Sequence, residues 1–504
     1  MREPKPHVVS FLASMLLVAG FATVLDRPES AENVAITVES VTTDQNDDST
    51  SAGEPVAQAT PDGSPSASPD GASPSVGPSS TPGLTPTTSG GQSNAAPPSA
   101  APASATETTP YQSTTPTYPE APLYDDEQKV RGFSATDITM CGHAALALGA
   151  AFDTSREDLN VYWDMVNDRG GIHGRDVTMT WEDDAYVASQ AITAAETCAG
   201  KDPFMILGGI GFDQIPGVRD WAETNNELYL HHIAVAPTQT YNYSYSLSPT
   251  VELTGTEFGN YLAGTYADKS IGVLYRDTAN WSPGSDAGKA VLEAKGVEYR
   301  DYPILQNQGV YSQQLNDMQL NGVEVVWVWE NALNAAQILN QADEQGYFPT
   351  WVVFPFQTTI DILTDPSAHS IDGVAAWPAY AKGGYGGKFP EYDVDPEIAR
   401  FEAAYAKFRP GSTPNDLLWQ VWIGNKVFEQ MLLDCGVDCN RNRFAGMMLS
   451  GYQQQVKPAC AVNFADKRSF GNHHGGFGFF TQKLFFPESG PAYETTRYCA
   501  RTLA

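Results

Sequence analysis

The segment Asn167–Asp184 reads NDRGGIHGRDVTMTWEDD and joins a helix end, a tight turn, a strand and an acidic loop. The glycine pair at 170–171 predicts the end of an amphipathic helix, because glycine readily adopts the left-handed conformation common at helix C-termini. Apolar and polar residues then alternate from Val177 to Trp181, which predicts a short strand with an acidic loop after it. This order of elements is half of a β-α-β unit.

Outward from this segment, the chain from Tyr124 onward alternates short apolar runs with stretches of helical periodicity. Such alternation is typical of α/β proteins that have a mostly parallel sheet. A second series of strand and helix units begins at Val251 and repeats the order of the first. We therefore predict two α/β lobes rather than one large sheet, and we assign residues 123–504 to this globular part.

Residues 1–25 are predicted to form a signal anchor or a signal peptide. Met1–Pro6 contains Arg2 and Lys5, and Val8–Leu25 is an uncharged apolar run. A helix of that length, at about 1.5 Å per residue, just reaches across the roughly 30 Å hydrocarbon core of a bilayer. We favour an uncleaved membrane anchor, because no clear pattern of small residues marks a cleavage site. Either interpretation places the rest of the chain outside the cytoplasm, tethered or secreted.

Residues 26–122 are rich in Ser, Thr, Pro, Ala and Gly, and long stretches of them lack large apolar side chains. Such a sequence cannot bury enough apolar surface to offset the entropy lost on ordering. We predict a disordered linker. A flexible spacer is favoured over an O-glycosylated stalk, which the same composition also permits.

The charge and the cysteines restrict the partners and the compartment. A net charge of −31 argues against a nucleic acid or an anionic surface as partner, since both require a cationic footprint. All six cysteines follow the linker, and an even number in an exported domain favours disulfides. Sequence proximity predicts the pairs Cys435–Cys439 and Cys460–Cys499, which leaves Cys141–Cys198. For that last pair, two free buried thiols are the alternative.

Four segments together point to a known family. They are the motif N-x-x-GGI-x-GR at 167–175 with its strand and Asp183-Asp184, the loop Leu207–Asp213, the strand SIGVLYRD at 270–277, and QADEQGYFPTWVVF at 341–354. In this combination the chain resembles the branched-chain amino-acid-binding class of type I periplasmic binding proteins, the substrate receptors of ABC importers. The resemblance covers about Asp137 to Leu449.

The resemblance implies two Rossmann-like lobes joined by three crossover strands, with a small polar ligand in the cleft between the lobes and an ABC permease as partner. Hinge closure on the ligand belongs to a known class of motion. The crossovers are expected near 243–249, 374–380 and 449–455. The first lobe would then comprise about 123–248 and 376–452, and the second about 249–375 and 453–504.

The candidate ligand-binding residues follow from the position of strands, because ligands of open α/β sheets bind beyond the carboxyl ends of the strands. The loops selected in this way contain Phe152, Gly211, Phe212, Asp213, Ala234, Ala236, Trp281, Trp329, Glu330 and Gln357.

Four of these residues have a predicted role. Members of the class that bind amino acids usually place hydroxyl groups near the position of Asp213. Its carboxylate would repel an acid and favour an amine, amide or hydroxyl compound, and we also expect it to cap the helix that starts at Gln214. Trp281 and Trp329 are expected to stack on an apolar ligand face, with core packing as the alternative. Glu330 would accept hydrogen bonds from the ligand, unless it is a solvated loop carboxylate.

Neither catalysis nor a metal site is predicted. The adjacent histidines at 231–232 and 473–474 would point to opposite faces of a strand, so neither pair forms a ready metal site. Asp183-Asp184 resembles the paired carboxylates of glycoside hydrolases, but a loop that ends a strand is the more frequent context of such a pair. We expect a non-enzymatic binding protein without a cofactor. The alternatives are a ligand-sensing receptor of the same fold and a secreted hydrolase that uses these carboxylates.

Overall fold

The computed structural model describes residues 118–146, 154–235, 241–306, 308–375, 380, 394–459, 461–464, 479–485 and 492–498. The predicted N-terminal helix lies outside these residues, as does almost all of the predicted linker. Across the described ranges, no helix is both long and apolar enough to cross a membrane. The predicted boundary at residue 123 is slightly late. Ala121 already belongs to the apolar core, and its backbone N–H donates to the carbonyl of Asn442 at 2.9 Å.

The first lobe is built on a parallel five-stranded sheet. Its strands are β1 (Asp137–Ala144), β2 (Asp176–Asp183), β3 (Ile206–Gly208), β4 (Tyr229–His231) and β5 (Ser244–Ser246), in the spatial order β2-β1-β3-β4-β5. Its helices are α1 (Arg156–Asp168), α2 (Ala188–Ala199), α3 (Ile215–Asn225), α9 (Val394–Phe408), α10 (Asp416–Cys435) and α11 (Arg441–Leu449). The last three return to the first lobe after residues 251–375 have formed most of the second.

The opening segment folds as predicted. Ser155 and Asp158 form a reciprocal capping box at the start of α1, and α1 ends at Asp168 before the glycine turn. Gly171 has φ +71°, and a Cβ there would lie 2.0 Å from the carbonyl oxygen of Arg175, so a side chain has no room at this turn. Asn167 joins the helix end to β2, because its side chain accepts from the N–H of Val177 at 2.7 Å and donates to the same residue's carbonyl at 2.9 Å.

The second lobe has a seven-stranded sheet with an antiparallel edge. Its strands are β6 (Ile271–Arg276), β7 (Tyr299–Ile304), β8 (Val325–Trp329), β9 (Thr350–Phe354), β10 (Ser370–Ala375), β13 (Phe479–Phe485) and β14 (Ala492–Tyr498), in the order β14-β13-β10-β9-β8-β6-β7. The pairs β10–β13 and β13–β14 are antiparallel, and the other pairs of neighbouring strands are parallel. The helices are α4 (Val251–Thr265), α5 (Ser282–Ala294), α6 (Ser312–Leu320), α7 (Ala332–Glu344) and α8 (Phe356–Asp361).

The chain passes between the lobes at positions that only partly match the prediction. β5 ends at Ser246 and α4 begins at Val251, close to the expected first crossover. β10 ends at Ala375 in the second sheet, and Tyr380 packs in the core of the first lobe. The third crossover was placed too early, at 449–455. There the chain forms the hairpin of β11 (Gln453–Gln455) and β12 (Ala461–Asn463), whose flanking apolar residues up to Phe464 remain in the core of the first lobe. The chain enters the second sheet at β13, so residues 453–459 and 461–464 belong to the first lobe.

Two disulfides lie in the first lobe. Cys141 on β1 is joined to Cys198 on α2, and Cys435 at the end of α10 is joined to Cys439. Both pairs match the pairing expected from sequence. The third expected pair, Cys460–Cys499, lies outside the described residues, as do His473 and His474.

Candidate ligand-binding site

A cavity lies between the carboxyl ends of the strands of the two lobes, and we call it the interlobe cavity. Its first-lobe wall comes from the loops after β3 and β4 and from the start of α10. Its second-lobe wall comes from the loops after β6, β8 and β9 and from the end of β10. It encloses about 900 Å³ of space free of atoms, including the part that opens to solvent. The location agrees with the rule for ligand sites in parallel α/β sheets.

Aromatic and aliphatic side chains form most of the walls. Phe212 from the first lobe packs against Trp281 from the second, with ring centroids 4.3 Å apart. Phe212 and Val235 are part of the same apolar cluster as the second-lobe strands, so the two lobes are in contact at this point. Ile233, Phe354 and other apolar side chains complete the walls. A ligand must therefore present apolar surface to most of the cavity.

Polar side chains of the two lobes meet at the start of α10. Asp416, which is 2% exposed, occupies the first turn of α10 and lines the cavity. Its carboxylate accepts hydrogen bonds from the N–H of Tyr380 at 2.8 Å and from Nε2 of Gln420 at 2.6 Å. From the second lobe, Nε2 of Gln357 donates to the carboxylate of Asp361 at 2.7 Å. Asp416, Gln420 and Gln357 thus bring polar atoms to a mainly apolar cavity.

Asp416 is electrostatically unusual. Burial, and after it the negative charge of the nearby Asp361, raises the pKa of the Asp416 carboxyl to about 7. The two hydrogen bonds that its carboxylate accepts act in the opposite direction. Among the described residues, no Lys, Arg or His forms an ion pair with Asp416 or lowers its pKa. This group did not emerge from the sequence, because it starts a helix rather than following a strand.

Asp213 lies beside the cavity and bridges the lobes. Its carboxylate accepts from Nη1 of Arg276 at 2.9 Å and from Nε1 of Trp281 at 3.0 Å, both in the second lobe. The other side of the Arg276 guanidinium binds Glu330. The expectation that Asp213 caps the next helix is wrong, because α3 begins at Ile215 with Gln214 in the capping position. Both oxygens of the Asp213 carboxylate thus accept hydrogen bonds from side chains of the second lobe.

Glu330 and Trp329 are both buried, with 0% exposure. Glu330 is neither solvated nor turned to the cavity, because it pairs with Arg276 and accepts from the N–H of Asn331 at 2.7 Å. Burial raises the pKa of Glu330, while Arg276 acts to lower it. Trp329 donates from Nε1 to the carbonyl of Trp281 at 2.8 Å and packs in the core. Trp329 therefore lies in the core, which is the alternative to ligand stacking.

The other candidates divide into two groups. The predicted residues that line the cavity are Gly211, Phe212, Ala234, Trp281 and Gln357. Phe152 and Ala236 lie outside the described residues. Each of these lining residues follows a strand, and this is why the rule that ligands bind beyond strand ends selected it.

The acidic pair after β2 is part of the scaffold. Asp183 accepts from the N–H groups of Leu146 and Ala185 at 3.0 and 2.9 Å, which fixes the loop. Asp184 is fully buried, and its carboxylate lies 2.8 Å from Nδ1 of His143. In the part of the chain that the structure describes, no group of three or more His, Cys, Asp or Glu side chains could hold a metal ion. Both carboxylates of the pair therefore bind groups of the first lobe itself.

Two lobes with parallel sheets and a cavity between their strand ends define a bilobed binding protein. The model of the periplasmic binding protein family matches residues 147–451, and the chain belongs to this family. The family is one of extracytoplasmic binding proteins. Comparison with curated proteins by sequence finds no significant match.

Solved structures share the fold at low sequence identity. A fatty acid ABC transporter substrate-binding protein from Thermomonospora curvata aligns with a TM-score of 0.57 and 14% identity, covering 74% of this chain and 97% of that one. LivJ of Streptococcus pneumoniae, a branched-chain amino acid transporter substrate-binding protein in complex with isoleucine, gives 0.55 and 13%, covering 72% and 100%. A solute-binding protein from Rhodopseudomonas palustris in complex with 3,4-dihydroxybenzoic acid gives 0.54 and 14%, covering 72% and 98%.

Proposed function

We propose that this protein captures a small organic molecule in the interlobe cavity outside the cytoplasm and delivers it to an ABC importer. The observation that carries this proposal is that the cavity walls come from the strand ends of both lobes. A solute held there contacts both lobes, so it stabilises the closed arrangement over the open one. The similar solved structures include substrate-binding proteins of ABC transporters, which supports the same role.

We also propose that Val8–Leu25 anchors the protein in the cell membrane and that the Ser/Thr/Pro-rich residues after it act as a flexible tether. A tether of this composition would keep the binding domain near a permease while leaving it free to reorient. Cell fractionation tests the anchor. The full chain should sediment with membranes, and mass spectrometry should find its N-terminal residues in the membrane fraction, whereas a soluble product that begins after Leu25 would contradict anchoring.

A thermal-shift screen of the full chain against amino acids, amides, amines, aromatic acids and fatty acids tests the binding role. A solute that binds only the folded protein stabilises it by about 2.7 kcal/mol at a concentration 100 times its Kd. We expect at least one solute class to raise the unfolding temperature and to bind with one-to-one stoichiometry in calorimetry. It should be recovered unchanged. Conversion of the bound solute, lost on Asp183→Asn, would support a hydrolase instead.

A further inference from the structure

The interlobe cavity combines an apolar body with one buried acid. Phe212, Trp281 and Phe354 supply aromatic surface, and Asp416 supplies the acidic group that lines the cavity among the described residues. Asp416 is 2% exposed, and Gln420, beside it on α10, is 8% exposed. A solute in this cavity would therefore place most of its surface on apolar groups and one polar group at the start of α10.

The partners of Asp416 leave its charge uncompensated. Its two oxygens accept from an amide side chain, that of Gln420, and from a backbone N–H, that of Tyr380. Asp361 of the second lobe faces the backbone N–H of Asp416 and adds negative charge nearby. A buried carboxylate is stable only when it is paired with a cation or protonated.

The guanidinium of Arg276, which binds Asp213 beside the cavity, already has two acidic partners. Arg276 at the end of β6 is 4% exposed and binds Asp213 on one side and Glu330 on the other. Two carboxylates thus neutralise one guanidinium and leave it no positive charge for a third acid. A ligand carboxylate would find no free cation among these groups, and it would repel Asp416 if placed at the start of α10.

Asp416 and Gln420 retain unused acceptor capacity. Each carboxylate oxygen has two lone pairs, and each oxygen of Asp416 accepts one hydrogen bond from the protein. Gln420 donates a hydrogen bond from its side-chain amide nitrogen to Asp416, and its side-chain carbonyl oxygen is a further hydrogen-bond acceptor. An ammonium group carries three donors and a positive charge, which matches a carboxylate and a carbonyl that lie together.

We propose that the ligand of the interlobe cavity is an organic amine with an aromatic or aliphatic body, whose ammonium group binds Asp416 and Gln420. This inference rests on the proposed binding function and adds the chemical class of the solute. The apolar body lies against Phe212, Trp281 and Phe354. The sequence predicted Asp213 as the acidic group that binds the ligand. Arg276 neutralises Asp213, so we assign this role to Asp416.

The experiment compares ligands that share a body and differ in the terminal group. Calorimetry at pH 8 with the full chain measures binding of 2-phenylethylamine, 2-phenylethanol and phenylacetate, and of hexylamine, hexanol and hexanoate. We expect one amine to bind at least about tenfold more tightly than its alcohol, because a charge-assisted hydrogen bond is replaced by a neutral one. The matching carboxylate should bind weakest of the three.

Substitutions at Asp416 and Gln420 test where the ammonium group of the ligand binds. Asp416→Asn should weaken amine binding by about tenfold or more and change alcohol binding by no more than about twofold, because the amide lacks the charge that an ammonium needs, whereas a hydroxyl can either donate or accept. Gln420→Met should weaken the amine as well, which provides a second variant if Asp416→Asn folds poorly. Asp268→Asn, which removes an exposed carboxylate from the same chain, should leave both affinities unchanged.

The outcomes separate this inference from the proposed function. Equal or tighter binding of the alcohol or carboxylate overturns the amine inference, as does unchanged amine binding in folded Asp416→Asn. If the broad screen finds only acids or neutral solutes, the binding role stands and the amine class is wrong. If no solute of the screen or of the six probes binds, both proposals fail.

Discussion

Asp213 of the first lobe and Arg276 of the second form a salt bridge across the interlobe boundary, with Oδ2 and Nη1 2.9 Å apart. Arg276 is also held by Glu330 within its own lobe, so opening of the lobes would leave the guanidinium paired. Asp213, whose side chain is 24% exposed, would then be solvated. The pair therefore stabilises the closed arrangement at little cost to the open one.

The first prediction follows from this asymmetry. Asp213→Asn should weaken ligand binding by about tenfold or more, because the closed form loses a charge-assisted interlobe bond worth about 1.5–3 kcal/mol while the open form is little affected. Most of the change should be in the dissociation rate, measured by stopped-flow tryptophan fluorescence. The control is Asp277→Asn, since exposed Asp277 bonds to Ser282 within the second lobe. Equal loss of affinity in both variants would refute an interlobe role for Asp213.

A second prediction concerns the contact between α4 and α5, where two helix backbones approach closely. A Cβ on Gly255 would lie 1.8 Å from the carbonyl oxygen of Gly284, and neither backbone can retreat without separating the helices. Gly255→Ala should destabilise the protein by about 2–3 kcal/mol or more in urea denaturation. Gly264→Ala in the same helix meets nothing within 4 Å, so it should be neutral or stabilise by about 0.5–1 kcal/mol. Similar effects of the two substitutions would show that the close approach is unimportant.

A third prediction tests the buried polar group under the first lobe's binding loops. His143 is 1% exposed, with Nδ1 2.8 Å from Asp184 and Nε2 2.9 Å from the hydroxyl of Tyr229. Tyr229→Phe leaves Nε2 without its partner and should cost about 1–3 kcal/mol of unfolding free energy. Tyr311→Phe is the matched control. Its buried hydroxyl has no hydrogen-bond partner among the described residues, so its removal should be neutral or stabilising. A neutral Tyr229→Phe would contradict the importance of this hydrogen bond.

The sequence predicts those features that depend on neighbours in the chain. The glycine turn at 170–171 and the alternation of β2 are local signals, and the structure contains both of them. The strand-end rule likewise found Phe212 and Trp281, because the parallel order of strands brings their loops to one edge.

The features that the sequence does not predict depend on long-range pairing. Asp213 was expected to face a ligand, yet its charge is neutralised by Arg276, 63 residues later in the other lobe. Nothing in the local sequence of Asp416 distinguishes it from an ordinary acid in the first turn of a helix. Its acceptance of the N–H of Tyr380, 36 residues earlier, and its place in the cavity depend on the return of α10 to the first lobe.

The last prediction concerns the pH dependence that Asp416 confers. Its pKa is raised from 3.8 to about 7, so between about pH 4 and 7 the folded protein binds a proton that the unfolded chain has released. The free energy of unfolding should fall as pH rises through this window, with a contribution from this group no steeper than about 1.4 kcal/mol per pH unit, and the decline should end above about pH 7. Asp416→Asn should flatten that part of the profile in urea denaturation at pH 5, 6, 7 and 8.

The comparison with Asp416→Asn is needed because a net charge of −31 also disfavours the compact state as carboxylates ionise. The groups near Asp416 are Asp361 on α8, Gln420 on α10, and Tyr380, whose hydroxyl donates to Glu402 on α9.

An ammonium ligand binds the ionised form of Asp416, so binding should release a proton, and amine affinity should rise from pH 5 to 8. The slope of unfolding free energy against pH should then become shallower with 2-phenylethylamine present. Identical profiles for wild type and Asp416→Asn would show that Asp416 titrates normally, and a fall of amine affinity with pH would contradict binding at an ionised Asp416.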